Sequence, residues 1–121
     1  MLNEDIKKII INLPEIFKSS NKSIYDLLND SGYFQMYEHI DKDEIYNELK
    51  NDYNYISKWM MYSDDKRTNT GYYFKENANN EYIIGYIDEN GNDIIVESSH
   101  DPYTICSLFI KLEIESIRKR K

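Results

Sequence analysis

Residues 72–98 read YYFKENANNEYIIGYIDENGNDIIVES, and they carry the clearest strand pattern in the chain. Short runs rich in β-branched and aromatic residues are separated by Asn-rich and Gly-containing breaks, a pattern typical of strands joined by tight turns. The pattern predicts strands over residues 72–76, 81–88 and 93–98. The dipeptide Asn90-Gly91 is the strongest short-range hairpin signal that a sequence offers. We therefore predict a three-stranded antiparallel meander.

The lengths of the two turns set the predicted register of this meander. We predict a four-residue loop over 77–80 and a two-residue loop at Asn90-Gly91. Tyr72 then lies opposite Gly85, where an aromatic ring can cover the gap left by the missing side chain. The predicted core face carries Tyr72, Phe74, Ile83, Gly85, Ile87, Ile94 and Val96. The opposite face carries Tyr73, Lys75, Tyr82, Ile84, Tyr86, Ile95 and Glu97, and we expect the N-terminal helices or a partner to cover part of it.

Helical patterns precede the meander. Isoleucines from Ile6 recur at the spacing of one helical face, and Pro14 should end or kink that helix near Leu13. A short second helix is expected to start at the cap Ser23. Asp41 is a stronger start, which predicts a helix over about 42–60, although residues 59–62 could also begin a strand. The polar stretch 63–71 is predicted to be a loop.

A further helix follows the meander. Asp101-Pro102 is a helix start with proline in the first turn, and apolar residues then continue to Ile117 on two stripes. We expect this helix to lie across the core face of the sheet, with Lys111, Glu113 and Glu115 toward its wetter sides. The sequence thus predicts an α+β fold, in which N-terminal helices precede a three-stranded antiparallel β-meander and a C-terminal helix packs on the sheet.

Length and charge limit the classes of function. A chain of 121 residues with net charge -7 is expected to be one acidic, soluble domain over 1–121. A domain with this net negative charge repels nucleic acid and favours a basic protein partner. The single cysteine, Cys106, forms no internal disulfide, which points to a reducing compartment, and we expect a cytoplasmic location. No signal peptide or membrane anchor is expected, because no apolar run approaches the ~18 residues of a span.

No established catalytic motif is found in the sequence. Only Cys106, His39 and His100 could supply thiolate or imidazole ligands, too few for a structural zinc site. Cys106 lies in an apolar helical pattern, where a thiol usually serves as inert packing instead of a nucleophile. The glycines are too scattered for a phosphate-binding loop. The adjacent acidic residues are typical of surface charge, and they lack the arrangement of a glycosidase pair or a calcium-binding loop. No cofactor or metal is expected.

One longer pattern supports a family resemblance. It comprises Trp59, then YSDDKRT at 62–68, GYYF at 71–74, YIIGYID at 82–88 and the pair Phe109-Ile110. Over about 56–117, the order and types of these residues resemble small bacterial immunity proteins, which protect a cell from the toxin of a contact-dependent growth inhibition or related polymorphic toxin system. The resemblance implies a non-enzymatic protein that binds the toxic domain of a cognate effector, often a nuclease, and blocks it.

We interpret the chain accordingly as a toxin-binding immunity protein, with a monomer expected over a homodimer. The acidic and aromatic residues expected at the partner surface are Asp64, Asp65, Tyr73, Tyr82, Tyr86, Asp88 and Glu89. An alternative is a small cytoplasmic adaptor or regulatory domain that uses the sheet face to form a homodimer. A third is an enzyme that uses scattered carboxylates, which strongly shifted pKa values in a cleft would reveal.

Overall fold

The computed structural model describes residues 3–65 and 70–120, with only the backbone described at Asn3. The N-terminal helices are α1 (Asn3–Ile11), α2 (Leu13–Lys18), α3 (Ile24–Asp30), α4 (Tyr33–Met36), a 3₁₀ turn (Tyr37–His39), α5 (Lys42–Leu49) and α6 (Asn54–Asp65). The remaining elements are the strands β1 (Gly71–Glu76), β2 (Tyr82–Ile87) and β3 (Asp93–Ser99) and the C-terminal helix α7 (Pro102–Arg118). The predicted α+β fold is confirmed, and the sheet has the order β1-β2-β3.

Local capping starts the helices where the sequence predicted. In each case a side-chain oxygen accepts a backbone N–H: Ser23 from Asp26 at 3.1 Å, Asp41 from Glu44 at 3.0 Å and Asp101 from Tyr103 at 3.0 Å. Such caps satisfy N–H groups that have no partner within the helix. The predicted break near Pro14 is also present, because α1 ends at Ile11 and α2 begins at Leu13.

The predicted helix over 42–60 is two helices, so this prediction was wrong in part. α5 ends at Leu49, and α6 begins at Asn54 and continues to Asp65. Between them, the Asp52 side chain accepts the backbone N–H of Asn54 at 2.9 Å. Asp and Asn side chains compete with the helical backbone for such bonds, which accounts for the break. Residues 59–62 are helical, and residues 66–69 of the predicted loop lie outside the described residues.

Helix α7 lies at the centre of the fold. It contacts all three strands and also α3, α5 and α6. Its Phe109 ring stacks on Phe74 of β1 at 5.6 Å, which identifies the inner face of the sheet. From the other side of the core, the Trp59 indole of α6 donates a hydrogen bond to the Ile11 carbonyl at 3.1 Å. Among the described helices, none has the length and apolar character needed to cross a bilayer.

Both hairpin loops contain three residues, in place of the predicted four and two. Asn77 donates its backbone N–H to the Glu81 carbonyl at 2.9 Å, and Asp88 donates to Asn92 at 3.0 Å. The last residue of each loop is left-handed: Asn80 has φ 59° and Gly91 has φ 83°. A type I turn followed by a left-handed residue is a common three-residue hairpin, and it shifts each predicted register by one position.

This shift corrects the predicted faces of the sheet. Phe74 pairs with Ile84, and Gly85 pairs with Tyr73 on one side and Ile95 on the other. Consequently Tyr82, Ile84 and Tyr86 share the inner face with Tyr72 and Phe74, whereas Ile83, Gly85 and Ile87 share the outer face with Tyr73. The predicted core positions of Ile83, Gly85, Ile87 and Val96 were therefore wrong. Ile94 is on the predicted side of the sheet, opposite Tyr86, but it is 55% exposed, so its core position was wrong as well. Val96 occupies a bulge in β3 and is 43% exposed.

Candidate functional site

Of the residues predicted for the partner surface, the tyrosines do not form one cluster. Tyr73 is half-buried on the outer face, as predicted, but Tyr82 is buried on the inner face. Tyr86 also points inward, where its ring lies 4.8 Å from the ring of Tyr72. A contact face made of all three tyrosines is therefore ruled out by the register, and only Tyr73 remains on the outer surface.

Tyr73 has a structural role on that surface. Its ring lies over Gly85, and a Cβ atom at Gly85 would overlap the end of the ring. The Tyr73 hydroxyl donates a hydrogen bond to Asp93 at 2.7 Å. Burial, together with this bond to Asp93, raises the pKa of Tyr73 to about 12. The predicted cover of Gly85 by an aromatic ring is thus present, with Tyr73 in place of Tyr72.

The acids of the β2–β3 loop have two different environments. The Asp88 carboxylate accepts the backbone N–H groups of Asn90 and Asn92, both at 2.9 Å, and the Asn92 side chain at 3.1 Å. The bonds from Asn92, followed by that from Asn90, lower the pKa of Asp88. Asp88 therefore closes the loop, whereas Glu89 is exposed at its tip and available to a partner.

The other predicted acids lie at the end of α6. Asp64 and Asp65 are both exposed, and Asp65 lines the mouth of a cavity of about 700 Å³. Tyr86 and Gly71 line the same cavity, so the structure brings Asp65 near one of the predicted tyrosines. The neighbouring Lys66 and Arg67 lie outside the described residues.

This cavity lies between the N-terminal helices and the layer formed by α6, α7 and the sheet. Its walls include Phe17, Tyr62 and Tyr86, and Glu113 of α7 reaches it from the core. Glu113 is only 1% exposed, so the prediction that it faces a wetter side was wrong. The Tyr62 hydroxyl donates to Glu113 at 2.7 Å, and burial, reinforced by this carboxylate, raises the pKa of Tyr62. The carboxylate therefore holds α6 against α7.

Lys111 and Glu115 belong to a second polar network, between α7 and the residues around α4. The Lys111 ammonium donates to the carbonyls of Tyr37 and Ile40 at 2.9 and 2.6 Å. Burial lowers the pKa of Lys111. Burial raises the pKa of Glu115, but hydrogen bonds from Arg118 and Tyr33 outweigh it, so the net pKa is lowered. Both networks join helices inside the molecule and leave the sheet surface free.

The residues weighed for catalysis do not meet. Cys106 is fully buried, and burial raises the pKa of its thiol, which suppresses the thiolate form that nucleophilic chemistry needs. His39 is exposed in the 3₁₀ turn, and His100 Nδ1 lies 3.2 Å from the Asn80 carbonyl. Within residues 3–65 and 70–120, no group of His, Cys, Asp and Glu is arranged to hold a metal ion.

Strand β3 is the most exposed apolar feature of the sheet. Ile94 and Ile95 are each 55% exposed, next to the 43% exposed Val96. Ile94 lies on the side of Tyr86 and Ile95 on the side of Gly85, so the strand exposes apolar side chains on both of its faces. An exposed apolar edge strand is a site at which another chain can pair. This site was not predicted from the sequence, because the predicted register placed Ile94 and Val96 in the core.

The same part of the chain carries charge of one sign. Between Lys75 and Lys111 the sequence contains no lysine or arginine. The acids in that interval are Glu76, Glu81, Asp88, Glu89, Asp93, Glu97 and Asp101. In space, Lys75 of β1 lies over the Tyr73 ring on the outer face, so the interval is acidic as a stretch of sequence. An apolar strand in such a stretch is complementary to a basic surface that also carries apolar groups. Comparison with protein-family models, with curated proteins and with solved structures gave no match to this chain.

Proposed function

We propose that this chain is an immunity protein that binds the toxic domain of a cognate effector in the cytoplasm and neutralises it. The observation that carries the proposal is the exposed apolar strand β3, which belongs to a stretch of sequence that contains acids but no lysine or arginine. Nuclease domains bind phosphate through clustered basic residues, so an acidic inhibitor can occupy the same surface. Binding, and not catalysis, is the proposed activity.

Charge also contributes to the rate at which the two proteins meet. An acidic region of uniform sign attracts a basic domain before contact and speeds association at low salt. Glu89 at the loop tip and Asp64 at the end of α6 are exposed acids suited to this role. Asp88 is not a clean test position, because its carboxylate closes the β2–β3 loop.

Co-expression tests the proposal. The C-terminal region of the large open reading frame immediately upstream would be expressed with and without this chain. We expect it to be toxic alone, and we expect this chain to restore growth and to co-purify with it. A toxic domain that this chain neither binds nor neutralises, or a harmless upstream product, would contradict the proposal.

Charge-reversal variants test the electrostatic part. Glu89→Lys and Asp64→Lys should slow association with the toxic domain and weaken its salt dependence. Lysine near the end of α6 also suits the helix dipole, so Asp64→Lys should fold normally. Glu38→Lys, an equal charge change at an exposed residue of the 3₁₀ turn, is the matched control and should leave the rate nearer to that of wild type. Equal effects at all three positions would indicate a response to net charge alone.

The alternative function is an adaptor that forms a homodimer, and the exposed residues of β3 give it some support. Two copies could pair their β3 strands and bury Ile94, Ile95 and Val96. The acidic charge on both copies opposes that pairing. Light scattering at low and high salt distinguishes the two functions: a stable dimer at low salt would favour the adaptor, and a monomer leaves β3 available.

A further inference from the structure

We propose that the free edge of β3 binds an extended, basic segment of another protein as an added fourth strand. The proposal combines three observations: the direction of the backbone groups along β3, the lack of a paired strand on its edge among the described residues, and the charge around it. It rests on the proposed function only for the expectation that the partner is a basic protein.

The direction of backbone groups follows from the hairpin geometry, and β1 provides a check. Residues along an antiparallel pair alternate between hydrogen-bonded and non-hydrogen-bonded positions. Asn77 bonds to Glu81, so Phe74, three residues earlier, should direct its N–H away from β2. The Phe74 N–H does point to the outer edge, where Ser63 of α6 accepts it at 2.8 Å. The edge of β1 is thus satisfied by a helix.

The same reasoning shows that β3 has a free edge. Asp88 bonds to Asn92, so the non-hydrogen-bonded positions that follow on β3 are Asp93 and Ile95. Their backbone N–H and C=O groups therefore point away from β2. No strand of the described residues pairs with that side of β3, which is the edge of the sheet. A segment laid along β3 would meet these donors and acceptors directly.

The edge has only part of the usual protection against pairing. Natural edge strands are commonly shielded by charged residues, above all lysine, by proline or by a covering helix; β3 has no lysine or proline, and its charged residues are the acids Asp93 and Glu97. Its bulge at Val96 twists the strand but leaves Asp93 and Ile95 on the regular side. Ile95 also lies on the outer face beside Gly85, so an added strand would extend that face and cover Ile95.

Charge decides which kind of segment fits. A pairing of two copies along β3 would bring together the acids of both strands, Asp93 and Glu97. Like charges directly opposite each other destabilise a strand pair, and the net charge of -7 on each copy adds to the repulsion. A segment with lysine or arginine near those acids gains attraction at the same positions. The expected occupant therefore alternates apolar residues, which cover Ile95, with basic ones.

A displayed library of random 12-residue peptides tests this inference on the whole chain without any toxin. We expect selection to enrich peptides in which basic and apolar residues alternate. Ile95→Pro removes the outward N–H and places a ring on the edge, and should weaken a selected peptide by at least about tenfold. Ile95→Lys should weaken it by repulsion. Ile95→Ala retains the backbone donor and adds no charge, so it is the matched control with the smaller expected effect.

The outcomes separate this inference from the proposed function. Circular dichroism and thermal unfolding first establish that each variant is folded. If Ile95→Pro does not fold, Ile95→Lys is the variant that tests the edge. No enrichment of basic peptides, or selected peptides that bind the edge variants as well as wild type, would overturn strand addition. Enrichment with loss in the variants would support it even if no upstream toxin is neutralised. Full neutralisation of a toxin by Ile95→Pro would instead support the proposed function and refute strand addition as its mode.

Discussion

Replacing Gly85 with alanine tests the register of the sheet most directly. Gly85 pairs with Tyr73, and a Cβ atom there would overlap the end of the Tyr73 ring. The φ angle of Gly85 is not in the left-handed region, so alanine brings no backbone strain. The whole expected cost therefore comes from displacing the ring, and with it the Tyr73–Asp93 hydrogen bond.

The magnitude follows from three contributions to the free energy of unfolding. Overpacking costs about 1–3 kcal/mol, and losing the hydrogen bond to Asp93 costs about 1 kcal/mol. Alanine returns about 0.5–1 kcal/mol relative to glycine within a strand. We therefore expect Gly85→Ala to destabilise the protein by about 2 kcal/mol. If the Tyr73 ring is absent, only the favourable contribution of replacing glycine with alanine in a strand remains.

A double-mutant cycle measured by urea unfolding checks this reasoning. In a Tyr73→Ala background, Gly85→Ala should become neutral or slightly stabilising, giving a coupling energy of about 2–3 kcal/mol. Tyr72→Ala is the matched control, because Tyr72 pairs with Tyr86 and not with Gly85. The register is refuted if Tyr72→Ala relieves the cost, or if Gly85→Ala costs the same with and without Tyr73.

Three further predictions concern single residues. Gly91→Ala should lower the free energy of unfolding by about 1 kcal/mol, because φ is 83° there, and an unchanged urea midpoint would contradict this. The pKa of Glu115 is lowered in the folded state, so its carboxylate stabilises the fold above the ordinary value of 4.5, and this contribution is lost as the pH falls below it. Glu115→Gln should therefore reduce the stability at neutral pH and flatten the acid side of the stability–pH curve, whereas a parallel curve would argue against this. Cys106 should react with an aromatic disulfide reagent only after denaturation, and rapid labelling of the native protein would show that its burial is wrong.

The helix starts could be predicted because their causes are local. The caps at Ser23, Asp41 and Asp101 each involve a residue two or three positions later, which the sequence displays directly. The break after Leu49 was missed although its cause is also local. An apolar spacing of 3 and 4 residues continues through the break, and it concealed the competing hydrogen bond that the Asp52 side chain accepts from the backbone N–H of Asn54.

The sheet register shows a different limit. The Asn90-Gly91 signal was correctly placed, but the bonds to Asp88 extend that loop to three residues. The loop before it is one residue shorter than predicted, because Asn77 bonds to Glu81 and pairs with it, and Asn80 is left-handed. One loop is a residue longer and the other a residue shorter than predicted, so the two register shifts cancel between β1 and β3. Tyr72 and Ile94 therefore remain on one face, as predicted. β2 is reversed, and the end of β3 is also turned over beyond the bulge at Val96, because Glu97 pairs with Ile84 of the inner face.

That reversal changes how the partner surface must be understood. Turning β2 over buries Tyr82, directs Tyr86 to the cavity and places Ile83 and Ile87 outside, so the outer face is less suited to hydrogen bonding than the sequence suggested. The absence of lysine and arginine between residues 75 and 111 is readable from the sequence alone. The free edge of β3 cannot be read from the sequence, because it depends on which edge of the sheet the rest of the fold covers. On the β1 edge, Ser63 of α6 accepts the Phe74 N–H through a long-range contact, whereas no described strand pairs with β3 on its outer side. A binding surface that combines the two follows only when the charge pattern is placed on the observed sheet.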